Sequence, residues 1–193
     1  AQIKLGSLYY DGKGIAQDFS EAFKWYKLAA EQGNVDAQIK LGSLYYDGKG
    51  IAQDYSQAFK WYKLAADKGK TNAQSIIGKL YYDGNGISQD YNEALKWYEL
   101  AADKGNALGQ YYLGDYYSEG KATRPKYRKA IKWYKLAVKQ NEYRSQYKLG
   151  LFYYEGTGVS QDNEEALKLF KLSAEQGYAV AQEKLKLLNA ETK

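Results

Sequence analysis

The sequence predicts an all-α fold, a right-handed α-solenoid of five helix-turn-helix repeats of 36 residues followed by a C-terminal capping helix. Three observations predict it. A 17-residue string beginning Gln-Ile-Lys-Leu-Gly-Ser-Leu-Tyr-Tyr-Asp-Gly occupies positions 2–18 and recurs unchanged at 38–54, an offset of 36. Carried forward without a gap, that offset aligns Leu5, Leu41, Ile77, Leu113, Leu149 and Leu185, and it aligns Trp25, Trp61, Trp97 and Trp133, with Leu169 in the fifth copy. Within each copy, apolar residues recur at helical spacing in two blocks set apart by glycines. A gapless period of this length marks a stacked array. Residues 1–193 therefore read as one solenoid domain, with repeats at 1–36, 37–72, 73–108, 109–144 and 145–180 and a capping helix at 181–193.

Each element has a local cause. The first helix of the second repeat is expected at about residues 37–46, where Ala37, Leu41, Leu44 and Tyr45 share a face. Gly48 and Gly50 suit its end, because glycine accepts the left-handed conformation that closes a last turn. Asp18, Asp54, Asp90 and Asp162 each precede a Glu or Gln by three residues, which is the capping-box pattern for the second helix. Behind it, Ala58, Trp61, Tyr62, Ala65 and Ala66 form an apolar stripe that ends at Gly69. One such pair cannot bury enough apolar surface to offset the entropy of ordering it, so the stripe must be covered by neighbouring repeats.

The pattern Ala-x-x-x-Leu-Gly-x-x-Tyr-x-x-Gly-x-Gly-Ile-x-x-Asp-x-x-x-Ala-x-x-Trp-Tyr-x-x-Ala-Ala-x-x-Gly resembles the Sel1-like repeat family, relatives of the tetratricopeptide repeats, over the whole chain. The resemblance implies an adaptor or scaffold that binds a protein or peptide, as in bacterial envelope, secretion and host-contact systems or eukaryotic protein quality control. It implies a bacterial envelope or secreted location as one option and leaves the compartment open. One cysteine-rich branch of that family staples its repeats with disulfides, and this chain has no Cys.

Composition narrows the chemistry. With no His and no Cys, triads built on an imidazole base, thiolate nucleophiles and thiolate zinc sites are excluded, so the expectation is a non-enzyme with no cofactor and no metal. The loops at Asp11, Asp47, Asp83 and Glu155 contain Gly-x-Gly but match neither a phosphate-binding loop nor an EF-hand. A glycan-cleaving enzyme would need two carboxylates about 5–10 Å apart in a closed cleft, whereas each repeat brings one acid. No apolar run reaches the roughly 18–20 residues that span a bilayer. The chain lacks Met, so it is expected to be a fragment or processed form, with further repeats or another domain ahead of Ala1; end-to-end self-association through the first repeat is compatible with that.

Three sets of residues invite a functional reading. The acids Asp11, Asp47, Asp83, Glu119 and Glu155 follow helix C-termini, where a negative charge opposes the macrodipole; they are read as acceptors for loop N–H groups, or else as a row open to a basic partner. Columns that vary between copies are free of the stack's demands, and by resemblance the first helix lines a concave groove. This gives a candidate partner-binding set: Ser75, Ile76, Lys79 and Tyr82; Tyr111, Tyr112 and Asp115; Tyr147, Lys148, Leu151 and Tyr154. The alternatives are surface drift and a purely architectural or engineered array. Finally, no acid lies between Glu119 and Glu142, while Lys121, Arg124, Lys126, Arg128, Lys129, Lys132, Lys135 and Lys139 do. Eight positive charges there, against a net +5 for the chain, leave the remainder net −3. The patch reads either as solvated lysines on an exposed face or as a site for an acidic partner, phosphate or anionic headgroup, away from the groove. Basic residues are not spread along the array, so no nucleic acid is expected. The fourth repeat also has Ala122 for the second loop glycine, Lys126 for the capping Asp and Asn141 for the terminal Gly; Thr123 is expected to cap, with Pro125 in the first turn.

Overall fold

A computed structural model describes residues 1–122 and 124–191. Among the described residues there are eleven helices and no strand: α1 (Gln2–Asp11), α2 (Phe19–Glu31), α3 (Val35–Asp47), α4 (Tyr55–Asp67), α5 (Thr71–Asp83), α6 (Tyr91–Asp103), α7 (Ala107–Glu119), α8 (Tyr127–Val138), α9 (Tyr143–Glu155), α10 (Asn163–Glu175) and α11 (Ala179–Glu191). The fold is an all-α solenoid with the predicted spacing. The helices gather into two compact units, Ala1–Trp97 and Tyr98–Lys193, whose boundary falls inside α6.

Helix ends follow the sequence with informative departures. The first helix of the second repeat starts at Val35 rather than residue 37, because the Asn34 side chain accepts from the Ala37 N–H at 2.8 Å. The capping acids act as read: Asp54 accepts from Gln57 N–H at 2.9 Å and Asp162 from Glu165 N–H at 2.9 Å. The reciprocal half of the box is not made. The Asp18 N–H donates to the Tyr9 carbonyl at 2.9 Å, and Glu21 turns outward to Lys24 at 2.6 Å. The acids after the first helices also differ from expectation. Gly48 and Lys49 N–H groups both go to the Leu44 carbonyl, and the acids are neutralised by lysines instead: Asp11 by Lys13 at 3.3 Å, Asp47 by Lys49 at 3.6 Å, Asp83 by Lys79 and Glu119 by Lys121 at 3.0 Å.

Inside the first, second, fourth and fifth repeats, a glycine of the first helix sets how closely the second can approach. A Cβ added at Gly42 would lie 3.2 Å from the Tyr62 ring, at Gly114 2.5 Å from Tyr134 and at Gly150 2.7 Å from Phe170. Between repeats, the second loop glycine does the same work: Gly50, at φ 72°, would place a Cβ 2.3 Å from the Phe19 carbonyl of the preceding repeat. Small alanines and large rings then fill the interior. In the N-terminal unit Ala22, Tyr26, Leu41 and Leu44 form one cluster and Ala58, Tyr62, Ile77 and Leu80 another; in the C-terminal unit Ala130, Tyr134, Leu149 and Phe152 lie at the centre.

A column of buried glutamines stitches helix ends together. Gln38 and Gln74 donate their side-chain N–H to the Ala30 and Ala66 carbonyls at 3.3 and 3.1 Å. In the C-terminal unit the matching oxygens are also used, since Gln140 donates to Gln110 Oε1 and Gln176 to Gln146 Oε1, both at 2.8 Å. At the corresponding place in the N-terminal unit stands Lys68, which donates to the Gly33 carbonyl at 3.3 Å, and Gln38 Oε1 is buried without a partner.

The fourth repeat reaches the same fold by another route. α8 begins at Tyr127 after Lys126, which makes no side-chain cap. Pro125 precedes the cap rather than sitting in the first turn; Thr123 lies outside the described residues. Pro125 holds the position where Gln17, Gln53, Gln89 and Gln161 donate to a Tyr carbonyl at 2.7–2.8 Å. What survives is the backbone closure, Lys126 N–H to the Tyr117 carbonyl at 2.7 Å. Asn141 takes the terminal glycine's role at φ 61°, the one positive-φ residue other than glycine among the described residues, as asparagine tolerates this region better than most residues.

Two stability outcomes follow. Gly114→Ala forces the Tyr134 ring to move and is expected to lower stability by about 1–3 kcal/mol in urea denaturation. Lys68→Gln supplies the donor that Gln140 and Gln176 supply elsewhere and is expected to raise stability by about 1 kcal/mol; an unchanged midpoint would rule out a cost at Gln38 Oε1.

Candidate binding face

The expected groove residues fall in both units. In the N-terminal unit, Ser75 is fully buried and its hydroxyl donates to the Thr71 carbonyl at 3.1 Å, so it presents no contact surface. Ile76 is half-buried against the Ile77 and Leu80 cluster. Lys79 is paired with Asp83, and Tyr82 packs edge-on against Tyr91 at 5.1 Å.

The C-terminal unit assembles its members into a connected array. At its base lies Asp115, whose side chain is only 17% exposed. Tyr134 donates to Asp115 Oδ1 at 2.6 Å, the Tyr111 hydroxyl also bonds to it, and Lys148 Nζ stands 3.6 Å away. Burial raises the Asp115 pKa above the usual carboxylate range, against the opposing pull of Lys148 and the two hydroxyls. Burial likewise pushes the Tyr134 and Tyr111 hydroxyls upward, and the Asp115 charge adds to it. Tyr111 is itself buried and serves as floor rather than surface.

Above that floor, Arg144 lies 4.5 Å from the Tyr111 ring centre, 5.2 Å from Tyr143 and 5.8 Å from Tyr112. Its partner is Glu142, at 2.7 Å. Burial disfavours the Arg144 charge, but Glu142 more than compensates and its pKa is raised. Ring contacts continue from Tyr143 to Tyr178 at 5.1 Å, from Tyr178 to Tyr147 at 5.6 Å and from Tyr147 to Phe170 at 5.6 Å. At the far side Lys184 sits 4.4 Å over Tyr154. Leu151 is half-buried on α9. Leu151 and Phe170 take the places that Asp115 and Tyr134 hold one repeat earlier.

Sequence reasoning missed Arg144, Glu142, Tyr143 and Tyr178. The signal was present in the same form as for the others, because the columns 36, 72, 108, 144 and 34, 70, 106, 142, 178 also change from copy to copy. These columns sit at helix starts, outside the helix-centre face considered. The basic set is exposed throughout: Lys121 pairs with Glu119, Lys126 and Lys129 approach the Tyr117 ring at 6.0 and 5.2 Å, and Arg124 and Arg128 reach solvent.

The Sel1 repeat family model matches residues 1–34, 35–70, 71–106, 107–142 and 144–178. The chain belongs to the Sel1 repeat family. Among solved structures it is similar to a protective antigen of uropathogenic Escherichia coli with an SLR fold, at 34% identity and TM-score 0.78 over 98% of this chain, and to a Sel1 repeat protein from Oxalobacter formigenes, at 33% and 0.85 over 95%. It spans 41% of the first protein and 75% of the second. A Sel1 repeat protein from Klebsiella pneumoniae shares the fold at 21% identity and TM-score 0.65, covering 97% of this chain and 91% of that one. No match was found among curated proteins. Sel1 repeat proteins are generally protein-interaction scaffolds. No helix among the described residues is long and apolar enough to cross a membrane.

The raised Asp115 pKa fixes the sign of a pH effect. The folded state holds this proton more tightly than the unfolded one, so the favourable contribution is complete below the ordinary value of 3.8 and is lost as pH rises through the folded-state pKa. Asp115→Asn keeps an acceptor for Tyr134 and cannot ionise. Its stability relative to the parent is expected to rise between acid and neutral pH; a gap constant with pH would contradict the assignment.

Proposed function

We propose that this Sel1 repeat chain is a protein-interaction scaffold that holds an extended peptide or protein segment against the first helices of its C-terminal unit. The observation that carries the reading is the connected array of partly exposed rings around Arg144. Tyr112, Tyr147, Tyr154 and Tyr178 are half-buried, and Tyr143 is 37% exposed. Tyrosines fixed by their neighbours offer large contact area with few rotors left to freeze, and Tyr and Arg dominate the energetics of protein interfaces. Asp115, Tyr134 and Tyr111 hold the floor rigid beneath them, so a ligand need not order the surface it meets. The reading keeps Tyr112, Asp115, Tyr147, Lys148, Leu151 and Tyr154 of the expected set and adds Arg144, Tyr143 and Tyr178. Tyr111 serves as floor, and the expected residues of the N-terminal unit, Ser75, Ile76, Lys79 and Tyr82, are not part of the proposed face.

The absence of His and Cys leaves the face without an ordinary nucleophile or neutral-pH base, which supports holding over transformation. Selection of peptides from a displayed library on the immobilised chain tests this directly. Peptides so recovered are expected to lose at least ten-fold in affinity, about 1.4 kcal/mol, for Tyr147→Ala and for Arg144→Ala, with helical circular dichroism unchanged. Undiminished affinity in both variants would place binding elsewhere.

A further inference from the structure

The second helices of the repeats share a surface device that α8 inverts. In three of the other four repeats a Glu at the third helical position pairs with a Lys three residues on: Glu21 with Lys24 at 2.6 Å, Glu93 with Lys96 at 2.5 Å and Glu165 with Lys168 at 3.2 Å, the second repeat having Gln57 there. Near the other end a Lys pairs with an acid four residues later, as Lys27 does with Glu31 at 3.9 Å and Lys63 with Asp67 at 2.5 Å. In α8 the lysines of both pairs are kept, as Lys132 and Lys135, and both acids are replaced by lysines, Lys129 and Lys139. Among the described residues none of Arg128, Lys129, Lys132, Lys135 and Lys139 pairs with a carboxylate.

This inversion is unfavourable for the helix itself. Arg128 and Lys129 place two positive charges in a first turn where the dipole favours negative ones, and α8 has no side-chain cap to offset them. Arg128, Lys132, Lys135 and Lys139 recur at intervals of four, three and four residues, a single stripe of about 17 Å at the helical rise. With Ile131 and Leu136 they line one shallow depression of about 420 Å³. We propose that this stripe is a second docking surface, taking an acidic amphipathic segment of a partner protein whose carboxylates meet the four cations while an apolar side chain enters between Ile131 and Leu136. The occupant is argued from charge complementarity: the stripe carries charge of one sign, one helix long, and meets no carboxylate among the described residues, Lys132 and Lys135 lying only over the Trp133 and Tyr153 rings at 5.6 and 5.5 Å. Its apolar floor suits a side chain and gives a phosphate backbone nothing to bond. The surface is distinct from the tyrosine face and stands whether or not that face binds peptide.

The test uses the whole chain and a labelled synthetic helix of about twenty residues, with Glu at positions i, i+4, i+7 and i+11 and Leu between them, alongside its Gln counterpart. Fluorescence anisotropy at low and high salt should show the Glu peptide binding at least ten-fold more tightly than the Gln peptide, with affinity falling as salt rises. The double variant K129E/K139E places at both positions the acids that the first, third and fifth repeats carry; it should lose ten-fold or more in peptide affinity while its melting temperature stays equal or rises. Tyr147→Ala should leave peptide affinity unchanged. The proposal is overturned if the Glu peptide fails to bind at low salt, if K129E/K139E binds it as well as the parent does, or if anionic phosphatidylserine vesicles or duplex DNA compete for the stripe more tightly than the peptide.

Discussion

The closeness of the two helices in a repeat governs the rest of this structure. Where Gly42 meets Tyr62, or Gly114 meets Tyr134, the first helix offers bare backbone to the flat of an aromatic ring, leaving no room for a side chain on the glycine without displacement. Each ring is thereby buried at the centre of its repeat, and its hydroxyl is delivered to one position on the first helix. That position holds Ser7 beneath Tyr26, at 3.1 Å, and Asp115 beneath Tyr134, at 2.6 Å. A packing constraint therefore brings one column of the first helix within reach of a buried hydroxyl, and in the fourth repeat that column holds Asp115.

Period, helix pairing and capping acids were legible because each is enforced by local chemistry that repeats without a gap. Depth was not. Ser75 and Tyr111 vary between copies and look free of the stack's demands, yet both are buried, because each occupies a column whose neighbours change with it. Tyr111 reaches inward once Asp115 supplies a partner for its hydroxyl, and Ser75 is small enough to satisfy itself on its own helix. Arg144 escaped notice for the opposite reason. It lies at a helix start, and only the fold brings Glu142, Tyr111 and Tyr143 around it.

The fourth repeat shows how much local signal can be removed while the fold persists. It has lost the second loop glycine, the loop glutamine and the capping aspartate, and it retains the backbone bond from Lys126 to Tyr117 that every repeat uses to close this loop. Secondary structure here depends on tertiary burial more than on caps, as expected when packing of an apolar face supplies most helix stability. Such tolerance leaves a repeat's outer surface open to change, and α8 is where the change is largest.

The pairing of Ser7 with Tyr26, Asp115 with Tyr134 and Leu151 with Phe170 bears on how arrays of this kind are edited. In these three repeats the hydroxyl and its acceptor are both present or both absent, although they stand nineteen residues apart on different helices; the third repeat departs from this, with Lys79 in the acceptor column and Tyr98 in the ring column. Exchange of a whole 36-residue block carries both members along. Exchange of a single helix would strand Asp115 opposite a ring with no hydroxyl, or set Leu151 against one with nothing to receive it. Between the fourth and fifth repeats, exchange in steps of thirty-six therefore keeps each ring with its own partner, whereas exchange of halves does not.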